Sequence, residues 1–403
     1  MRIKPLKHFC VGGPAYGLNV SADQYVDEGV RLLRTTDIDA DGELAPAESA
    51  VYLDPSQVPA ESLLSAGDLL LSRSGTLGRA FLVPERSDQL TYAGYLVRFR
   101  PSTNNDPRYL WRCAQSQIMQ DAIGADAIQS TIGNFNGEKY ANVELPAWPL
   151  DEQRAIGDYL DRETTRIDTL IATKKRMIGL VQERFQAHLE EVLSLSTVCE
   201  TRVKFLATKI GSGKTPTGGA DVYEASGIPF LRSQNVLNGQ LDLKDVAFIS
   251  AETDAEMAST RVKPGDVLFN ITGASIGRCA PLPTEVPTAN VNQHVCIVRP
   301  RRDLSGRLLH FALRTRFVQE QVSEMQLGGN RDGLNFEQVG NIRVGLPDDH
   351  RERDACESEV AAADSYAVSA VTAVNKQLDL LIERRQALIT AAVTGQVEVP
   401  VAA

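Results

Sequence analysis

The sequence predicts an α+β protein: a tandem, pseudo-twofold repeat of one mixed, strand-rich domain and one long helix, the two helices forming an antiparallel coiled coil. Three observations predict it. The chain repeats itself at a nearly constant offset. Short apolar runs in each repeat are broken by turn residues. Each repeat closes on a long run with a heptad-spaced apolar seam.

The repeat is read from six matched blocks in one order. "RIKPL" from Arg2 returns as "RVKFL" from Arg202. "GVRLLRTTDIDADGEL" from Gly29 returns as "GIPFLRSQNVLNGQL" from Gly227, with Arg34 matching Arg232. "AGDLLLSRSGTLGRA" from Ala66 matches "PGDVLFNITGASIGRCA" from Pro264. "RFRP" ending at Pro101 matches "IVRP" ending at Pro300, and "YANVELP" from Tyr140 resembles "VGNIRVGLP" from Val339. "LVQERFQAHL" from Leu180 matches "LLIERRQALI" from Leu380. The offset drifts only from 198 (232 − 34) to 200 (380 − 180), so the chain is two copies of one unit.

Within each copy the elements follow from local chemistry. "GDLLLS", "YLVRFR", "GDVLFNI" and "HVCIVRP" are bulky apolar or β-branched runs flanked by turn signals, and read as strands. "RYLWRCAQSQIMQDAI" reads as a helix. The long helix begins near Pro149 and Asp151, with Glu152 in the acidic-favouring first turn. Ile171, Ile178, Phe185 and Val192 recur every seven residues. Val371, Val374, Leu378, Leu381, Leu388 and Ala392 keep a 3,4 spacing that Arg385 interrupts, and Gly395 suits a stop. The expected division is 1–148 and 196–347 for the strand-rich domains, 149–195 and 348–398 for the helices. A helix over residues 152–193 is roughly 60 Å long at about 1.5 Å per residue, a rod with a globule at either end.

Composition narrows the function classes. The length of 403 residues fits several domains, and 43% hydrophobic with 23% charged residues is ordinary for a soluble globular protein. No run approaches a membrane span, and the N-terminus lacks the apolar stretch of a signal peptide, so the expected place is the cytoplasm. Six scattered cysteines with no C-x-x-C pair argue against a disulfide frame or zinc ribbon. His294 and Cys296 stand close but read as strand residues rather than metal ligands. The net charge of −10 is opposite in sign to that of most chains that bind nucleic acid alone.

"KIGSGKTPTGG", Lys209 to Gly219, mimics a phosphate-binding loop. That motif, G-x-x-x-x-G-K-[ST], needs a glycine where Thr208 stands, and a helix following at once. Pro216 and the glycines beyond it make such a helix improbable, which removes the amide cradle for phosphate. The first copy holds "CVGGPAYGLNVSAD" there, without a lysine. The loop therefore reads as one of variable specificity.

"LPAWPLDEQRAI" running into "RIDTLI", "SGKTPT" leading to "GIPFLRSQNV", "GDVLFNITGASIGRCA" and above all "LLIERRQALITAAVTGQVEV" resemble the specificity subunits of type I restriction-modification systems over nearly the whole chain. The resemblance implies two target-recognition domains that read a bipartite, asymmetric site in double-stranded DNA. It implies helices that space the halves and dock two methyltransferase subunits, with restriction subunits as possible further partners. S-adenosylmethionine and ATP would belong to those partners, leaving no cofactor and no metal on this chain. Glu152, Gln153, Ile167, Glu183, Arg184, Glu383 and Arg384 are the partner-binding candidates. The second helix departs from the family, carrying Glu352-Arg353 where the first has Glu152-Gln153.

Base readout calls for amides, hydroxyls and guanidinium groups on loops. The DNA-binding candidates are Arg34, Thr35, Thr36, Arg73, Ser74, Thr76 and Arg79 in the first copy. In the second they are Lys214, Thr215, Arg232, Ser233, Gln234, Asn235, Asn270, Thr272, Arg278, Asn330 and Arg331. Residues that differ between copies, such as Thr35-Thr36 against Ser233-Gln234, are the better readout candidates. A methyltransferase within this chain would need an Asp/Asn-Pro-Pro-aromatic tetrapeptide, which does not occur, and no convincing nuclease cluster is found. A structural adaptor that uses only the rod is the competing class.

Overall fold

A computed structural model describes residues 2–39, 41–85, 89–127, 134–193, 199–286, 288–327 and 333–399. Two compact units divide the chain: Met1–Lys175 with Asn375–Ala403, and Arg176–Val374. Both contain helices and sheets in the α+β manner.

Unit 1 holds the strands β1 (Arg2–Pro5), β2 (Ala15–Tyr16), β3 (Val30–Leu33), β4 (Val51–Leu53), β5 (Leu69–Ser72), β6 (Ala80–Leu82), β7 (Leu90–Tyr92), β8 (Leu96–Phe99) and β9 (Glu144–Ala147). Its helices are α1 (Pro107–Gln115), α2 (Gln117–Ala127), α3 (Gly137–Ala141) and the beginning of α4 (Leu150–Val192). One sheet runs β2-β8-β5-β6, a second β4-β3-β7 with β3 and β7 parallel, and β1 pairs with β9. Unit 2 holds β10 (Cys199–Arg202), β11 (Ala207–Ser212), β12 (Ile228–Leu231), β13 (Ala247–Ile249), β14 (Arg261–Val262), β15 (Val267–Asn270), β16 (Cys279–Pro281), β17 (Ala289–Val291), β18 (Val295–Pro300) and β19 (Arg343–Leu346). Its helices are α5 (Val203–Leu206), α6 (Ala251–Glu256), α7 (Gly306–Leu313), α8 (Arg316–Leu327), α9 (Phe336–Asn341) and the beginning of α10 (His350–Val393). The strand orders are β11-β18-β15-β16, β13-β12-β17-β14 and β10-β19. The order of unit 1 thus recurs, with β14 added at one edge.

A buried ion pair closes one end of each four-stranded sheet. The Gly67-Asp68 turn ahead of β5 needs a left-handed glycine (φ +86°), and Gly265-Asp266 ahead of β15 does the same (φ +87°). Arg100, just past β8, grips Asp68 through Nε and Nη2, both at 2.7 Å, and Arg299 in β18 grips Asp266 identically. Each carboxylate is 1% exposed and also accepts a backbone amide, from Ser65 and Lys263 respectively.

The expected single helix over "RYLWRCAQSQIMQDAI" is two helices, α1 and α2, because Ser116 leaves the helical region (ψ 164°). Its hydroxyl donates to Cys113 O, and the amide of Gln117 that opens α2 donates to Thr390 Oγ1. In unit 2 the amide of Arg316, opening α8, donates to Glu190. Side chains of the long helices therefore cap these starts, which a sequence window cannot show. Arg112 reaches Asp161 (2.8 Å) and Thr164 from α1, and Arg314 reaches Asp364 (3.0 Å) and lies 4.8 Å over the Phe185 ring.

The expected seams are partly realised. Within unit 1, Tyr159, Ile167 and Leu170 of α4 line one cleft with Leu381, Leu388 and Ala391 of α10, so these stretches run antiparallel. Within unit 2, His188 meets Glu359, and Val181 and Phe185 line a groove with Ala363 and Ala367. Phe185, Val374, Leu378 and Ala392 are buried, whereas Ile171, Ile178 and Val192 are only half-buried. Arg385 interrupts the seam because it is an ion-pair residue: its Nε meets Asp168 at 2.8 Å and its Nη1 meets Asp41 at 3.5 Å. Gly395, φ +74°, follows the last turn of α10 as a stop should. Among the described residues no helix is long and apolar enough to cross a membrane, and no cluster of ligands could hold a metal ion. All six cysteines are free; burial pushes the Cys113, Cys279 and Cys296 thiols up to about 12, so they act as small apolar residues.

Two stability outcomes follow. Replacing Arg299 by Ala strands the buried Asp266 carboxylate and destabilises unit 2 by on the order of 3 kcal/mol. Arg100→Ala costs unit 1 less, since Arg100 is 44% exposed against 24% for Arg299; urea unfolding of both variants checks the order. Buried His310 has its pKa driven well below its ordinary 6.5, by desolvation first and then by the Arg314 and Arg307 charges. Below about pH 6.5 the unfolded chain binds a proton there that the folded chain refuses, so stability present above that pH is lost as pH falls. Urea midpoints at pH 7.5 and 5.5 will converge more closely in His310→Gln than in the parent.

Candidate nucleic-acid interface

At the sheet end away from each ion pair, four loops converge. In unit 1 these are the segment after β2, the turn after β3, the segment after β5 and the β7–β8 hairpin. Backbone bonds lock them together: Leu18 N to Tyr92 O, Gly94 N to Leu18 O, Ala93 N to Leu33 O and Arg73 N to Tyr95 O. Unit 2 repeats the frame with Lys214 N to Val291 O, Asn292 N to Leu231 O and Ile271 N to His294 O. The first segment passes so close to the hairpin that only glycine fits. A Cβ on Gly213 would lie 1.7 Å from Val291 O, and one on Gly17 would lie 2.2 Å from Tyr92 O. This packing accounts for the glycine of "GSGKTP". The loop leaves a strand and reaches only a 3-10 turn at Gly219–Val222, so no phosphate-binding helix follows Lys214.

In unit 1 the turn after β3 is built around Asp37. Arg34 grips it through Nε (3.0 Å) and Nη2 (2.8 Å), which raises the Arg34 pKa, and Nη2 also reaches Ser49 O. The Arg79 guanidinium donates to the carbonyls of Thr35 and Ile38. Arg79, half-buried, thus braces this turn. Arg34, Thr35 and Thr36 line a cleft of about 430 Å³ with Asn19, Tyr25 and Tyr95, and Thr36 is exposed. Arg73 lies 5.0 Å over the Tyr16 ring. Ser74 is half-buried in a bridge with Asn134, and Thr76 is exposed with its carbonyl taken by Ser72.

In unit 2 the corresponding turn has Asn235 for Asp37. Asn235 is 2% exposed and spends its side chain on Arg232 N, Asp242 O and Asp245 O. Asn270 is fully buried and donates to Ser233 O and Ser275 Oγ. Both are corrected from readout residues to frame residues: neither reaches solvent. Arg232 bonds to Asp245 O (3.0 Å), Ser233 is half-buried, and exposed Gln234 reaches Asp245 Oδ2 (3.1 Å). Lys214 and Arg278 are exposed. Asn330 and Arg331 lie outside the described residues.

Sequence reasoning missed the hairpin tips. His294 is a turn residue, not a strand residue, and it links to Thr272 Oγ1 through Nδ1 (2.6 Å) and to Gln293 Nε2 through Nε2 (3.0 Å). Thr215 Oγ1 donates to Gln293 Oε1 at 2.6 Å. Three loops are thereby joined by one string of side-chain bonds. In unit 1 the same positions are Gly94 and Tyr95, the latter 65% exposed. The available signal was the divergence of "YAGYL" from "VNQHV" inside matched strands.

The helix candidates separate as well. Gln153 is 1% exposed: it accepts from Asp106 N and donates to Asn105 Oδ1 and Trp148 O. Ile167 is buried. Both are therefore structural, a correction to their assignment as partner contacts. Arg353, at the Gln153 position, makes an equivalent latch through Nε to Pro347 O (2.7 Å) and Nη1 to Asp303 O. The departure from the family pattern thus preserves the helix start. Glu152 is half-buried, while Glu183, Arg184, Glu383 and Arg384 are exposed.

Residues 51–178 match the Type I restriction modification DNA specificity domain. By that match, the part of the α+β frame within residues 51–178 resembles a DNA-specificity class of domain. Over 303 residues, 68% of this chain, it is 22% identical to the type I restriction enzyme EcoBI specificity subunit of Escherichia coli. Over 177 residues, 42% of this chain and 36% of the relative, it is 23% identical to the StySPI specificity subunit of Salmonella potsdam. The chain is similar to the specificity subunits of type I restriction-modification systems. The match spans 63% of the E. coli relative's length. A chain solved in work on complex assembly and conformational transition of the type I R-M system shares the fold, with a TM-score of 0.72 at 16% identity over 98% of both chains.

Gly213→Ala is expected to lower the melting temperature by roughly 4 °C or more, whereas Lys214→Ala leaves it unchanged. Thermal unfolding by circular dichroism checks that the glycine serves packing rather than phosphate.

Proposed function

We propose that this chain reads a bipartite, asymmetric site in double-stranded DNA, one half with each strand-rich domain, as a tandem pseudo-twofold subunit spaced by an antiparallel coiled coil. The observation that carries the reading is that one backbone frame presents different exposed groups in the two units. Exposed Thr36 and Tyr95, beside half-buried Arg73, stand against exposed Lys214, Thr215 and Gln293, beside half-buried His294. A shared frame with unlike tips is what reading two unlike half-sites requires. The spacers at 149–195 and 348–398 dock two methyltransferase subunits through their exposed faces, Glu183, Arg184, Glu383 and Arg384 among them. A rod of roughly 60 Å sets the half-sites somewhat under two helical turns apart, at about 34 Å per turn.

The chemistry is then recognition without catalysis. The methyltransferase subunits flip the target adenine into their own pockets, and S-adenosylmethionine and ATP belong to the partner subunits. The net charge of −10 fits this division, because affinity for DNA backbone scales with phosphates neutralised, which partners can supply. Localisation is cytoplasmic on this reading. The adaptor alternative uses the rod alone and leaves the unlike tips without a role.

Co-expression with the methyltransferase encoded beside it, followed by mapping of modified adenines, tests the proposal. The expected result is modification at one split motif that disappears when this chain is deleted. Methylation unchanged by deletion would favour the adaptor. The isolated chain is expected to bind DNA at least tenfold more weakly than the complex, as measured by titration at fixed salt.

A further inference from the structure

The exposed amide of Gln293 is held as a free glutamine is not. Thr215 Oγ1 donates to its Oε1 at 2.6 Å, and its Nε2 lies 3.0 Å from His294 Nε2. An amide nitrogen only donates, so His294 Nε2 accepts, and in the neutral ring the proton sits on Nδ1 and donates to Thr272 Oγ1 at 2.6 Å. Immobilising a solvent-facing glutamine costs it rotamer entropy. Here three loops contribute one bond each to do it.

The geometry points to Gln293 as a specificity-determining residue of unit 2, preset by Thr215 and His294 to read an adenine in the major groove. The amide has two N–H groups and two oxygen lone pairs. The string uses one of each, leaving one donor and one acceptor unspent on an exposed side chain. That pair complements adenine N7 and N6–H, and no other base edge in the major groove offers an acceptor beside a donor on one purine. His294 and Thr215 are positioning residues, acting through Gln293. In unit 1 the hairpin places Gly94 at this position, so its half-site is read without this amide.

This inference rests on the half-site reading, and the test separates the two. The full chain and its variants are co-expressed with the adjoining methyltransferase, and modified motifs are mapped together with the modified fraction at each single-base variant of the parent motif. Gln293→Glu keeps the shape but removes the donor. It is expected to cost at least tenfold in preference for adenine at one position of one half-site, with the other half unchanged. Thr215→Val leaves the amide unheld and loosens the same position only. If Gln293→Glu and Gln293→Ala both return the parent preference at every position, the inference is overturned while the half-site reading stands. If Gln293→Glu forms a complex that modifies nothing, Gln293→Ala decides: relaxation confined to one adenine position supports the assignment, and loss across the whole half-site overturns it. Modification that persists without this chain sinks the half-site reading itself.

Discussion

The structure depends on a carboxylate buried at the mouth of a turn. Asp68 and Asp266, each 1% exposed, stand where a left-handed glycine has just reversed the chain, and each is gripped by a bidentate arginine at or just past the end of the neighbouring strand. A charge so placed has no water to turn to, so turn, strand and arginine hold one geometry or the site fails. The pair raises the arginine pKa in both units, through the hydrogen bond to the carboxylate first. It clamps β5 to β8 and β15 to β18 at one end. The other ends of those strands are where Arg73 and Tyr95, or Ile271 and His294, leave the sheet.

That separation explains how two units share a frame and differ at their tips. Backbone bonds and one tightly packed glycine per unit set the loop paths, and neither depends on the side chains that face solvent. The tips are free to carry an arginine over tyrosine in one unit and a threonine–glutamine–histidine string in the other. Inside the turns the roles also shift: Asp37 binds Arg34 through its charge, while Asn235 replaces it with an amide bonded to three backbone groups.

The long helices are tied to the globules by polar side chains as much as by apolar ones. Gln386 donates to Gln115 O and Gln186 to Arg314 O, each taking a carbonyl left over at a helix end. Matched positions then diverge according to what lies opposite: Phe185 packs beneath Arg314, whereas Arg385 meets Asp168. Burial of Phe185 and the ion pair of Arg385 serve the same joint by different physics.

Much of the fold was legible because it is periodic and local. The repeat offset, the Gly-Asp turns, the strand runs, the start of the long helix and its glycine stop need only neighbours in sequence. The candidate site was legible in part: Lys214, Thr215, Thr272 and Arg73 do lie on converging loops, because turn residues announce loops wherever they occur. The rest was not, because burial and bonding are decided by residues distant in the chain. Sequence alone predicted two copies of one α+β unit and a glycine-lysine loop with no helix following at once. Only the tertiary structure decided that Asn270, Asn235, Arg79 and Gln153 brace the frame while Gln293 stands exposed beside half-buried His294. A polar side chain reads the same in sequence whether its partner is water, a base or a carbonyl brought beside it by folding.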